Sequence, residues 1–126
     1  SAYPGIDPVL VEQCGEDGNV RGEGRSPDRR KCLWDAYLAN RPATFRTVVY
    51  TVEGDPIAFD VSVQHRDQIA VRVDSEDRFG AMGQFAYTCT AMEFTDDSRF
   101  VLKGCTPSDP GSEGAFVTED GELYIR

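Results

Sequence analysis

His65 is the only histidine in the chain, so it is the first residue to test for chemistry. A general base, or a base that activates a nucleophile, needs a hydroxyl, thiol or carboxylate converging on it. Nothing adjacent in sequence to His65 supplies one, and it reads as a partly exposed strand-end residue. Asp74, Glu76 and Asp77 offer oxygens to a hard cation. A calcium loop wants more ligands at defined spacing and a glycine at its sharp turn, an order that residues 74–80 lack. Asp96-Asp97 and Glu119-Asp120 read as turn acids at hairpin tips, where carboxylates stay solvated. In Glu53-Gly54-Asp55-Pro56 the backbone explains the residues, since glycine permits positive φ and proline starts the next strand. Gly15–Gly24, with Arg21 and Arg25, has the composition of an anion clamp but neither G-x-x-x-x-G-K nor G-x-G-x-x-G, so no nucleotide is indicated. No catalytic residue, cofactor or metal site is assigned.

The four cysteines, at 14, 32, 89 and 105, contain no C-x-x-C, and their spacings match no zinc signature. An even count in a small acidic chain suits two disulfides and an oxidising compartment. Four cysteines allow three connectivities. Cys89 and Cys105 fall opposite each other in the strand register that their apolar neighbours prefer, and Cys14 and Cys32 flank the glycine-rich stretch. Pairing 14–32 with 89–105 is therefore favoured, with the other two connectivities still open.

A net charge of −9 argues against nucleic acid or an anionic membrane as partner, since both are polyanions. The charge is uneven: residues 21–46 hold seven of the thirteen basic residues against three acids. If a partner exists, Arg21, Arg25, Arg29 and Arg30 are its expected contact, because they differ in sign from the rest of the surface. No apolar run approaches the roughly 20 residues of a membrane span.

The elements that must hold these residues follow from periodicity. The whole chain, 1–126, reads as a single domain with no internal repeat. Residues 1–6 read as a loose leader. Asp7-Pro8 caps a short helix from Val9 to Cys14, although Val9–Val11 reads equally as a strand. Residues 15–25 read as a mobile loop. Ser26-Pro27-Asp28 starts a helix running to about Ala39, with Asn40 as a left-handed cap and Pro42 preventing continuation. Its apolar stripe is Cys32, Leu33, Ala36, Tyr37 and Ala39, with Arg29 and Arg30 outside it and Trp34 at its margin. Residues 44–75 then alternate with period two as a three-stranded meander. A two-residue Gly54-Asp55 turn sets Val52 opposite Ile57, Tyr50 opposite Phe59 and Val48 opposite Val61. A second turn at Arg66–Gln68 sets His65 opposite Ile69. Residues 84–94 and 99–105 form two more strands, pairing Phe94 with Phe100 and Met92 with Leu102. Residues 106–114 read as a loop, and a last hairpin pairs 115–119 with 122–126 through Asp120-Gly121. The expected fold class is α+β: an antiparallel sheet of five to seven strands in a meander, with one or two N-terminal helices packed on one face.

The block Cys32–Ile57, CLWDAYLANRPATFRTVVYTVEGDPI, resembles a small domain of bacterial exported proteins and lipoproteins. The resemblance rests on the C-hydrophobe-x-x-A-hydrophobe helix, the Pro-Ala-Thr strand entry, the Glu-Gly-Asp-Pro turn and, later, Phe85–Cys89. It implies an extracytoplasmic location, secreted or lipid-anchored through a segment preceding the chain. Together with the missing catalytic constellation, it points to a non-catalytic binding or inhibitory module, or a lipoprotein head. The partner would be another envelope or extracellular protein. The alternative is an enzyme whose site assembles from scattered Asp, Glu, Tyr and Arg.

Overall fold

The computed structural model describes residues 10–126. The proposed leader, 1–6, and the start of the proposed first helix lie outside the described residues. In chain order the elements are β1 (Glu12–Val20), α1 (Pro27–Leu38), β2 (Ala43–Tyr50), β3 (Pro56–His65), β4 (Gln68–Glu76), β5 (Met82–Cys89), β6 (Ala91–Phe94), β7 (Phe100–Lys103), β8 (Thr106–Pro107) and β9 (Leu123–Ile125). A 3₁₀ turn occupies Pro110–Ser112. The α+β class holds, but the sheet is neither purely antiparallel nor a plain meander. Six strands run in the order β1-β2-β3-β4-β5-β8, with β1 parallel to β2, and β6-β7-β9 form a separate antiparallel sheet.

The helix begins and ends as its sequence dictates. The Ser26 hydroxyl accepts from the Arg29 amide, Pro27 sits at the first turn, and Asn40 adopts φ 55° just past the end. The first expected helix is corrected: residues 12–20 are a strand. The mobile loop is corrected with it, because the glycine-rich residues form most of β1. Gly15 at φ +87° takes the irregularity between Gln13 and Glu16, after which pairing with β2 resumes at Glu16–Arg46. Gly24 folds the chain back so tightly that a Cβ would lie 2.7 Å from the Gly18 carbonyl oxygen. These glycines shape a bulged strand and its return, which composition alone does not separate from a free loop.

The β2–β3 register also differs. The connection is five residues, closed by the Thr51 amide on the Asp55 carbonyl and the Asp55 amide on the Thr51 hydroxyl. Tyr50 therefore pairs with Pro56 and Phe45 with Val61. The displacement is an odd number of residues, so it turns β2 over: Ala43, Phe45, Thr47 and Val49 face the core, while Tyr50 and Val52 face water. In β3–β4, Val63 pairs with Ile69, two residues from the expected partner of Ile69. That even displacement leaves Val63, Ile69, Val71 and Val73 buried as expected.

The strand expected over 84–94 bends at Thr90 and passes from the large sheet to the small one. Inward parity changes there, from Tyr87 and Cys89 to Met92. Phe94–Phe100 and Met92–Leu102 pair as expected. The final hairpin is corrected: β9 pairs with β7, placing Ile125 beside Phe100 and Leu123 beside Leu102, and residues 115–119 form no strand. Burial of Leu123 and Ile125 against β7 outweighs the local turn. The segment 106–114 contains β8 and the 3₁₀ turn, both set against β5.

The helix and the small sheet cover one face of the large sheet. Phe45 meets Phe100 at 6.1 Å between centroids, Trp34 stacks between Tyr37 and Phe94, and the buried apolar residues form one cluster.

Candidate functional site at the loop end

Of the four arginines expected to contact a partner, the fold leaves Arg21, Arg25 and Arg29 at the surface and buries Arg30. Arg21 is exposed in the turn after β1. Arg25 donates to the carbonyls of Asp97 and Gly22, and Arg29 to that of Glu16, so both brace their own chain. Arg30 is corrected outright, being fully buried. Its Nε lies 2.8 Å from Asp17 Oδ2, and its two terminal nitrogens reach Thr47 Oγ1 and the main-chain oxygens of Ser98 and Arg126. The guanidinium carbon lies 5.8 and 5.9 Å from the Phe45 and Phe100 ring centroids. Positions 30, 33 and 37 share one helical face, so Arg30 sits on the stripe of Leu33 and Tyr37. That spacing is the signal that places it inside.

Both disulfides form in the favoured pairing, Cys14–Cys32 and Cys89–Cys105, and no cysteine among the described residues is free. His65 is exposed at the end of β3, in a shallow surface depression with Tyr37, Asn40, Arg66, Asp67 and Thr90. Asp74 is exposed on the outer face of β4, and Asp77 Oδ1 accepts the amide of Phe79 within its own turn. Among the described residues, no three His, Cys, Asp or Glu side chains are grouped to hold a metal ion.

The uncovered face of the large sheet carries a row of alternating charge. Glu16, Arg46, Asp60 and Arg72 stand in register across β1 to β4. Arg46 bonds Asp60 at 2.7 Å and approaches Glu16 at 3.5 Å. With Thr44, Ser62, Ala70 and Ala86 around it, this is the solvated face expected of a sheet packed on one side.

The end of the large sheet beyond Tyr50 differs. Two neighbouring loops, 51–55 and 77–81, are each closed by internal hydrogen bonds and then joined to one another. Asp55 accepts from the amide of Arg78 at 3.0 Å and from its Nε at 3.1 and 3.3 Å. The Ser75 hydroxyl donates to the Ala81 carbonyl at 2.6 Å. The Arg78 amide, and next its guanidinium, hold the Asp55 carboxyl below its ordinary range. On these pinned loops Val52 is 81% exposed and Phe79 74%, with Tyr50 and Met82 exposed beside them. Burying such a side chain is worth about 1.5–3 kcal/mol, so two left in water forgo a sizeable stabilisation.

Behind the tips the two layers part. A hollow of about 330 Å³ is lined there by Tyr50, Val52, Ile57, Phe59, Phe116 and Tyr124. Phe116 is fixed edge-on to Phe59 and Phe85, and its amide donates to the Tyr87 hydroxyl. Burial first of all, with Asp109 adding to it, pushes the Tyr87 phenol up against the opposing hydrogen bond from Phe116. Glu53, Asp77 and Arg126 also line the hollow. The Tyr124 hydroxyl donates to Glu122 at 2.7 Å, which raises its pKa.

No family model, curated protein or solved structure matches the chain. The sequence reading missed this site because it assigned Val52 and Tyr50 to the dry face. With a five-residue turn they become loop-end residues, and the Asp55–Arg78 pairing, 23 residues apart, has no local signature.

Proposed function

We propose that this chain is a non-catalytic, extracytoplasmic binding module that engages another protein through its loop end, with Tyr50, Val52, Phe79 and Met82 at the centre. The observation that carries this reading is the exposure of Val52 and Phe79 on two loops tied together through Asp55 and Arg78. Rigid loops bearing apolar tips lose little conformational entropy on association, and large apolar side chains dominate protein interfaces. Glu53, Glu76 and Asp77 flank the tips, so the complementary surface has an apolar centre and a basic rim. Extracytoplasmic location is supported by the two disulfides and by the resemblance of Cys32–Ile57 to exported bacterial domains. No helix among the described residues is long and apolar enough to cross a membrane.

A photo-crosslinking residue at position 79, compared with one at Thr88 on the uncovered face, tests the reading. The expected result is one protein adduct at position 79 and none at 88. Binding of that purified partner should then be lost with Val52→Ser and Phe79→Ser but kept when Arg21, Arg25 and Arg29 become Ser. Undiminished binding by the loop variants overturns the reading. So does turnover of a substrate that is abolished by changing one carboxylate.

A further inference from the structure

Resting on that reading, we infer that the hollow behind the loop tips receives a lysine or arginine side chain of the partner protein. Four aromatic rings, those of Tyr50, Phe59, Phe116 and Tyr124, wall it. The face of an aromatic ring carries negative potential, and a cation within about 6 Å of its centroid is attracted. The Arg30 guanidinium, held near the Phe45 and Phe100 rings, and that of Arg78, 5.8 Å from the Phe79 centroid, show the arrangement twice in this chain.

Charge points the same way. Glu53 and Asp77 bring two negative charges to the hollow and Arg126 one positive. None of the three is in an ion pair among the described residues. An aliphatic acid would meet only Arg126 and face two carboxylates. A neutral aliphatic side chain would bring no opposite charge to the two carboxylates. A long cationic side chain lays its methylene stem along the rings and carries its charge to Glu53 and Asp77. The inference therefore names the partner's contact as basic as well as apolar.

The test uses isotope-labelled native protein titrated with the N-acetyl methylamides of arginine, lysine and norleucine, and with hexanoate, while signals of Tyr50, Phe116 and Tyr124 are followed. Saturable shifts with the arginine or lysine probe are expected. They should weaken about fivefold in Glu53→Gln/Asp77→Asn and weaken further as salt rises. Equal response to norleucine would mean an apolar pocket without charge preference, and preference for hexanoate would make Arg126 the recognising group. Either result overturns the inference, as does absence of any shift. If the position-79 adduct still forms while no cation enters, the docking reading stands and this inference alone falls.

Discussion

Arg30 and Asp17 form an ion pair closed off from water, with side-chain exposures of 0% and 2% and a Nε–Oδ2 distance of 2.8 Å. Two buried charges are tolerable because each guanidinium nitrogen has an acceptor: besides Asp17, the group meets Thr47, Ser98 and Arg126. Asp17 also accepts the Ser26 amide and thereby fixes the start of α1. Removing one partner leaves the other charged and alone. Arg30→Met should cost about 3–5 kcal/mol in a denaturant melt, with little dependence on added salt. A loss under about 1 kcal/mol would mean that water reaches the pair.

Phe59 is buried on the inner face of β3, against Phe116. Phe59→Ala should cost about 3–5 kcal/mol by denaturant unfolding. A change under about 1 kcal/mol would put Phe59 on the wrong face of the sheet.

The β2 register separates Phe45 from Val48. Phe45 touches Phe100 in the core, whereas Val48 lies half-buried on the uncovered face. Phe45→Ala should cost roughly 3–5 kcal/mol. Val48→Thr should stay within about 1 kcal/mol, since threonine suits a half-wet strand. Reversal of that order would restore the two-residue turn.

Intact mass of the unreduced protein should be lower than that of the reduced form by four hydrogens, and native protein should not react with a thiol reagent. The bridges close 18 and 16 residues of sequence separation, each contributing on the order of 3 kcal/mol in the chain-entropy model. Cys14→Ala/Cys32→Ala should therefore lower the unfolding midpoint without abolishing the fold. A labelled thiol in native protein would refute the pairing.

Acid should weaken the fold through two turn carboxylates. The Thr95 hydroxyl, and then Arg99, lower Asp97 from an ordinary value of 3.8 to about 2. Asp55 is lowered too, through Arg78. Both bind a proton more tightly when unfolded, so their stabilisation is complete above the unfolded value and fades as pH falls from about 4 towards 2. A series of denaturant midpoints across that range should fall, and Asp97→Asn should flatten part of the fall. Midpoints that rise on acidification would contradict the assignment.

Local features were legible in the sequence where local chemistry decided them. Ser26-Pro27-Asp28 and Asn40 set the helix limits because caps act within a turn. The Asp96-Asp97 turn set the β6–β7 pairs because a short connection leaves one register. Distant partners decided the rest. β1 pairs with β2 across the whole helix, and its glycines read as a loop without that partner. Arg30 read as a surface charge because Asp17 lay in that supposed loop. The loop end stayed hidden because an odd register change exchanged the faces of β2, while an even one in β3–β4 did no harm.

The acceptors around Arg30 lie 13, 17, 68 and 96 residues away along the chain. The same guanidinium thus joins the first strand, the helix, the β6–β7 turn and the residue after β9. Neither sheet can open alone without exposing that charge to rearrangement or leaving main-chain oxygens without their donor. Amide protons of β3 and β7, in different sheets, should therefore exchange with solvent at similar free energies, through a single cooperative opening. For this chain the boundary between the two sheets is a change of strand pairing and not a boundary between folding units.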